Sequence, residues 1–506
     1  MLDHDLLQKL AVRPSSTKST LERAATGEPF FLFSDTAWEL FHRLTREEVV
    51  HYLDTRKRQG FNAVLAVALP RARSDTFHSK YFHPNRYGQV PLMNDDPRTP
   101  NEKYFSHIDW VVQAAAERGI LVFLVPTWSR WINGAASFGA FLGERYPFLP
   151  KMLGGDSNPI WTNAREIWRR FRANGREVHD VPIPTTLDLP RLEWFDVFRS
   201  MGEAIATAEK PFWGQAGAPL LTYHPTALWL PWSPDALASS FFGDDGWLTL
   251  DACQSGHADT PNLVFDPPMH FWNARAPHAP ISKMVAQSVG KRPVLDLEGH
   301  YEGMYVNLAP GSGAKWNGDD IRSGAWQSVL SGACGVVYGH NTVWQMYDVE
   351  HAKIAPQIVP VLGVEASESW KEALNVPGPG YIAILASFFG TLPADMNLQP
   401  AQDVLLSSAA PEASRDTDGR VDVMRDVSAD YSNLLIAHSG SGYAFEIDLE
   451  AVFGEHSVTT AWFDPRTGTE APFQLCPRQT KFTPPSAGSV KHDWVLVYAV
   501  TVMQSQ

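Results

Sequence analysis

The chain is predicted to be an α/β protein: a (β/α)8 TIM barrel followed by a small C-terminal antiparallel β-sandwich. Three observations predict this. Short apolar runs alternate with amphipathic stretches from about residue 30 to residue 346, the mark of a parallel sheet covered by helices. The alternation repeats eight times over about 320 residues, which fits a barrel with insertions. From about residue 402 the pattern changes to short alternating runs separated by turn signals. An open doubly wound sheet is the structural alternative, but no Gly-x-Gly-x-x-Gly follows the first strand.

The elements follow in order. Strand one covers 30–34 and ends in Asp35, and Thr45-Arg-Glu-Glu48 fits a capping box for the next helix. Strand two covers 62–69. Its helix, 104–118, puts Ile108, Val111, Val112 and Ala115 on one face and stops at Gly119. Strand three, 120–125, leads into Pro-Thr-Trp128, and a helix near 138–145 precedes strand four, which ends at Asp156. A helix over roughly 193–208 leads to strand five (219–224), strand six (248–254) and strand seven (293–298). A helix over 319–331 precedes strand eight, 335–340. Residues 347–401, with a helix at 381–389, close the barrel. Beyond them, 433–438, 443–448, 459–463 and 493–498 read as strands of the β-sandwich. The expected domains are therefore 1–29, a segment packing on the barrel; 30–401, the catalytic barrel; and 402–506, the sandwich. Two long insertions, 70–103 and 160–192, follow strands two and four and so belong to the active-site face.

Bulk properties narrow the function. A length of 506 residues argues for two domains. A net charge of −14 argues against nucleic acid and anionic membrane surfaces as partners. Cys253, Cys334 and Cys476 are odd in number and widely spaced, so they imply neither a disulfide framework nor a zinc site. Seventeen histidines include no His-Glu-x-x-His, so no metal and no cofactor are expected, and there is no Gly-x-Ser-x-Gly esterase elbow. No run of about 18 apolar residues suggests a transmembrane helix. The first residues lack a basic region followed by an apolar one, so the expected location is cytoplasmic, or secreted if Met1 stands on a trimmed chain.

The chemistry is expected at the C-terminal strand ends, where such barrels build their active sites. Asp156 ends strand four and Glu298 ends strand seven. Two carboxyl groups facing each other there are the equipment for breaking a glycosidic bond. One attacks the anomeric carbon, and the other protonates the leaving oxygen and then activates water. Glu298 is read as the nucleophile and Asp156 as the acid/base. A bland reading stands beside this: each carboxylate could cap a helix or pair with an arginine. Asp296 shares a strand face with Glu298, because side chains alternate with period two. Asp35 either caps the next turn or binds sugar hydroxyls. Tyr223, His224, Gln254, His257, Tyr301, His340 and Asn341 are candidate hydroxyl-binding or carboxylate-orienting groups, each equally readable as a supporting residue. Trp38, Trp128, Trp131 and Trp344 follow strand ends, where an aromatic face can stack on a sugar ring; Trp229 and Trp232 could extend that platform, and about half of these are expected at the site.

The motifs resemble a known family. Phe33-Ser-Asp-Thr-Ala-Trp-Glu-Leu-Phe-His-Arg-Leu44, Leu153-Gly-Gly-Asp-Ser-Asn-Pro159, Tyr223-His-Pro225, Gln254-Ser-Gly-His257, Pro293-Val-Leu-Asp-Leu-Glu298, Tyr338-Gly-His340 and Val343-Trp-Gln-Met-Tyr347 resemble the apiosidase-like glycoside hydrolases. Trp462-Phe-Asp-Pro-Arg-Thr-Gly468 and Asp493-Trp-Val-Leu-Val497 resemble the collagen-binding-type β domain that often follows them. The resemblance implies a retaining barrel hydrolase that releases β-linked apiose from plant glycans or glycosides, with Asp156 as acid/base and Glu298 as nucleophile. Three departures bear on substrate: the missing export signal and the insertions at 160–192 and 70–103. The alternatives are a retaining glycosidase for an arabinofuranoside or a rhamnoside, and a non-catalytic carbohydrate-binding barrel. The partner is a carbohydrate or a small glycoside; oligomeric state is left open.

Overall fold

Each of the eight runs forms a strand in the computed structural model: β1 (Leu32–Thr36), β2 (Ala63–Leu69), β3 (Leu121–Thr127), β4 (Lys151–Ser157), β5 (Leu221–Pro225), β6 (Asp251–Cys253), β7 (Val294–Asp296) and β8 (Gly335–Tyr338). The structure describes residues 2–69, 84–128, 134–159, 194–214, 217–229, 233–260, 270–288, 290–350, 364–393, 396–428, 432–476 and 480–500. Six strands form one parallel sheet in the order β8-β1-β2-β3-β4-β5, and β6 pairs with β7 in parallel. Between these sets, Leu250 N donates to Leu221 O (3.1 Å) and Cys334 N to Val294 O (2.9 Å). The strands are apolar because both faces are covered: all seven residues of β2 are buried.

Helices follow the strands: α1 (Arg46–Arg58), α2 (Glu102–Ala116), α3 (Ala135–Arg145), α4 (Phe195–Trp213), α5 (Ala238–Phe242), α6 (His278–Ser288), α7 (Gly318–Leu330) and α8 (Gly378–Gly390). The capping box of α1 forms as predicted, with Glu48 N on Thr45 Oγ1 (3.3 Å) and Thr45 N on Glu48 Oε2 (2.9 Å). Helix α4 runs past the predicted end at 208 and carries Pro211 inside it. Tertiary contacts hold that last turn: Glu209 forms a buried ion pair with Lys151, and Trp213 Nε1 donates to Pro147 O (2.8 Å). The N-terminal residues form a helix (His4–Leu10) and a three-stranded antiparallel sheet, and Leu7, Ala11, Val12 and Leu21 enter the same core as the parallel strands.

The C-terminal region is built of antiparallel sheets. Strands β9 (Val421–Asp426), β10 (Leu434–Ser439), β11 (Val458–Asp464) and β12 (Trp494–Val500) lie in the order β9-β10-β12-β11. Leu398–Pro400 pairs with β9, so this sheet begins before residue 402. A second sheet joins Leu405–Ser408, Phe445–Ile447 and Lys481–Phe482. Val423, Leu435, Ala437, Phe445, Ile447, Phe482 and Tyr498 share one core. Another cluster packs Trp326 of α7 and Ile382, Leu385 and Phe388 of α8 against Met424, Ile436, Phe463, Val495 and Val497. Inside this seam Arg322 Nη2 meets Asp493 Oδ1 at 2.8 Å, both side chains buried. The stretch Trp370–Gly390 is long and apolar enough to cross a membrane by length and composition, and here that apolarity serves the seam.

Candidate active site

The end of β4 is the least regular strand end in the parallel sheet. Leu153 pairs with Tyr223 and Ser157 with Pro225, so β4 advances four residues while β5 advances two. The surplus is a bulge through Gly154 (φ +92°), Gly155 (φ +57°) and Asp156 (φ +49°). Glycine is required at both preceding positions. A Cβ on Gly154 would lie 2.6 Å from the Tyr223 ring, and one on Gly155 would lie 2.8 Å from the Trp128 ring. Asp156 itself takes a left-handed conformation that an L-residue occupies at a cost of roughly 1–2 kcal/mol. The bulge turns Asp156 toward β5, where its N–H meets His224 Nδ1 at 3.1 Å.

His224 joins the backbone of Asp156 to the carboxylate of Glu298. Its Nδ1 lies within reach of both the Asp156 N–H and the Pro225 carbonyl (2.9 Å). The neutral ring accepts from the first, and the imidazolium donates to the second. Its Nε2 lies 3.3 Å from Glu298 Oε2. On the other oxygen, His257 Nε2 meets Glu298 Oε1 at 2.9 Å. Burial pushes the Glu298 carboxyl up, but the flanking His224 and His257 outweigh it and hold the group well below the usual carboxylate range. Burial likewise opposes charge on His224, and Glu298, then Asp156, more than offset it, so its pKa is raised.

The surroundings are aromatic. Trp38 and Trp128 lie 4.6 Å apart, with His224 at 6.1 and 5.9 Å from them. Tyr301 packs tilted against His257 at 4.8 Å and faces Glu298; burial, then the Glu298 charge, raise its hydroxyl pKa. Gly339 makes room for this ring, since a Cβ there would fall 2.1 Å from Tyr301 Cδ1. Gln254 is buried with its Oε1 unbonded among the described residues, an acceptor available to a hydroxyl. No group of three His, Cys, Asp or Glu side chains among the described residues could hold a metal ion.

Several sequence-based assignments need correction. Asp35 does not reach the site. It points outward to α1, where Arg56 Nε and Tyr52 OH both lie 2.6 Å from its Oδ2, and all three side chains are buried. Tyr223 also points outward, onto Phe198 of α4 and Phe242 of α5 (5.0 and 4.9 Å), because period-two alternation sends His224 inward. Asp296 spends its carboxylate on the protein: Ser255 Oγ (2.6 Å), Ser255 N (3.1 Å) and Glu298 N (3.3 Å) all donate to it. It positions the backbone of Glu298 and is not a free sugar ligand. His340 caps the helix Asn341–Trp344, accepting from Thr342 N (3.1 Å), and burial lowers its pKa to about 3. Asn341 donates to the Val364 and Glu365 carbonyls, and Trp344 is buried in the core at the end of that helix. Trp229 lies against Trp272 (4.6 Å). Trp131, Trp232, residues 160–192 and the first part of the 70–103 insertion lie outside the described residues. The structure therefore brings together Asp156, Glu298, His224, His257, Tyr301, Trp38 and Trp128. Ser255, missed in the sequence reading, is signalled only by its place between Gln254 and His257.

Carboxylates beside aromatic rings at the ends of parallel strands suit a glycoside hydrolase, and the family match shows that this chain is one. The apiosidase-like catalytic domain matches residues 15–395, and the "Putative collagen-binding domain of a collagenase" matches residues 400–499. The chain belongs to the apiosidase-like family. Among solved structures, a glycoside hydrolase family 5 protein from Bacteroides vulgatus ATCC 8482 is 22% identical, with 97% of this chain and 93% of that chain covered and a TM-score of 0.74. Another, described as a glycoside hydrolase, is 23% identical, with 97% of each chain covered and a TM-score of 0.72. At these identities the likeness is one of fold. No curated protein matches the chain.

Proposed function

We propose that this hydrolase releases a β-linked pentofuranoside, apiose first, from plant glycans or glycosides, with retention of configuration. One observation carries the mechanism: His257 and His224 flank Glu298 at 2.9 and 3.3 Å and hold it ionised inside a buried site. An ionised, oriented carboxylate suits a nucleophile. Asp156, half-buried on its bulge, suits the group that must exchange protons with the leaving oxygen and with water. In the first displacement Glu298 attacks the anomeric carbon while Asp156 protonates the departing oxygen. In the second, Asp156 takes a proton from water, which opens the glycosyl ester. Trp38, Trp128, Tyr301 and Gln254 would hold the ring and its hydroxyls. The two hydrogen bonds joining β5 to residue 250 and β7 to residue 334 support closure of the eight strands into a (β/α)8 barrel, and the shared core of the two C-terminal sheets supports a β-sandwich.

The test is a panel of aryl β-apioside, α-arabinofuranoside, β-glucoside and α-rhamnoside, with the first-formed anomer read by NMR. Release of apiose in the β configuration is expected. An inverted first product overturns the double displacement. Turnover of the arabinofuranoside or the rhamnoside alone replaces the sugar and leaves the mechanism standing.

A further inference from the structure

The C-terminal region touches the parallel-strand region at a second place besides the apolar seam. There, Arg275 Nη1 meets Asp418 Oδ2 at 3.0 Å, and His278 Nε2 lies 3.0 Å from the Asp416 carbonyl. From Arg275 two short routes lead to His257. In one, Arg275 Nε donates to Asp259 Oδ2 (2.8 Å), and Asp259 is clasped by Asn307 through both its N–H (3.0 Å) and its Oδ1 (2.9 Å). Asn307 N then donates to the His257 carbonyl at 3.0 Å. In the other, the Arg275 guanidinium lies 4.6 Å from the centre of the Trp316 ring, and Trp316 Nε1 donates to the same carbonyl at 3.2 Å. Asn307 is held at φ +59°, a left-handed conformation that asparagine tolerates better than most residues. The clasp with Asp259 holds its side chain.

Each contact fixes the next. The His257 backbone is set by Asn307 and Trp316, and its ring is set by Glu298 and Tyr301. Arg275 has a further acidic neighbour, Asp320 Oδ1 at 3.4 Å, so its head group is drawn toward α7 as well as toward Asp259. Asp418 pulls from the C-terminal sheets and completes the set of three carboxylates around the guanidinium. We infer that Asp418 is a positioning residue for hydrolysis. Through Arg275, it holds the loop after β6 so that His257 Nε2 stays on Glu298. On this reading, which rests on Glu298 as nucleophile, the C-terminal region is part of the active-site framework and not an appended binding module.

The experiment compares Asp418→Asn, Arg275→Gln and the double variant in the full chain. Asp464→Asn serves as control, because its partner Arg466 (2.7 Å) lies in the same C-terminal region. Three quantities are read: kcat and KM on the substrate turned over, hydrogen exchange at the amides of 257–259 and 307, and Tm. Asp418→Asn is expected to lower kcat by about two- to thirtyfold with KM little changed. It should also speed exchange at those amides, while Asp464→Asn changes neither. The double variant should lose no more kcat than Arg275→Gln alone, as expected for two residues acting in series. Wild-type kcat and exchange in Asp418→Asn, or losses that simply add in the double variant, would overturn the inference. If the wild type turns over no glycoside, the failure lies with the proposed substrate and mechanism, and the exchange measurement still decides the positioning role.

Discussion

The two strand ends that carry the carboxylates are built in opposite ways. Glu298 follows a regular strand and is gripped: His257 and His224 flank its oxygens, and Asp296 holds its backbone N–H. Asp156 sits on a bulge with three successive positive φ angles and reaches the rest of the site through its backbone N–H. Under the double displacement proposed above, the gripped group is the one that must stay charged and aimed at a carbon. In the same proposal the group on the bulge is the one that must gain and lose a proton and tolerate different leaving groups. On that proposal rigidity is concentrated where covalent geometry is set, and strain where proton traffic runs.

The largest test of this contrast is removal of each carboxyl. Glu298→Ala is expected to lose about 10⁴- to 10⁶-fold in kcat on every substrate, because the proposed mechanism forms its ester on that carboxylate. Asp156→Ala should lose about 10²- to 10⁴-fold on a glycoside with a poor leaving group, and far less on a nitrophenyl glycoside that departs without protonation. Equal losses on both substrates would place the acid elsewhere. Gly155→Ala comes next. It adds a Cβ 2.8 Å from the Trp128 ring at a φ of +57°, and should cost about 1–3 kcal/mol in chemical denaturation with a marked fall in kcat. A neutral outcome would mean that the bulge has slack. The smallest effect is expected from His224→Gln. Glu298 contributes as an ionised group, and its pKa is depressed, so the contribution is lost as pH falls through that depressed value. Removing one of the two histidines that depress it should move the acid limb of kcat/KM upward by about one pH unit. An unmoved limb would leave His257 as the dominant partner.

The same contrast explains how much was legible in advance. The apolar runs and the capping box at Thr45 are local patterns, and they read correctly because burial on both faces and helix capping leave short-range signatures. Tyr223 and His224 are neighbours on one strand, so period-two alternation allows only one of them to face inward. The sequence reading applied that rule to Asp296 and Glu298 but not to this pair. Asp35 looked like a site residue because nothing within a few positions names Arg56, twenty-one residues on, as its partner. Nothing in the sequence reading marks Gly154-Gly155 as a bulge, and only the pairing with β5 shows that one is there and which way it turns Asp156. The contacts from Asp418 to His257 have no local signature at all, since they join residues as much as 161 positions apart, from 257 to 418.

The seam between α7, α8 and the C-terminal sheet has a consequence for how such chains can be rearranged. Trp326, Ile382 and Phe388 share one buried cluster with Ile436, Phe463 and Val497, with the Arg322–Asp493 pair sealed inside. Parting the chain between residues 395 and 400, where the two family matches meet, would leave a broad greasy surface on each fragment and separate Arg322 from Asp493. The two parts should therefore melt in a single calorimetric transition, and the C-terminal piece should not travel by itself as a recombinable cassette. What moves between chains would have to include helices from the other side of the junction.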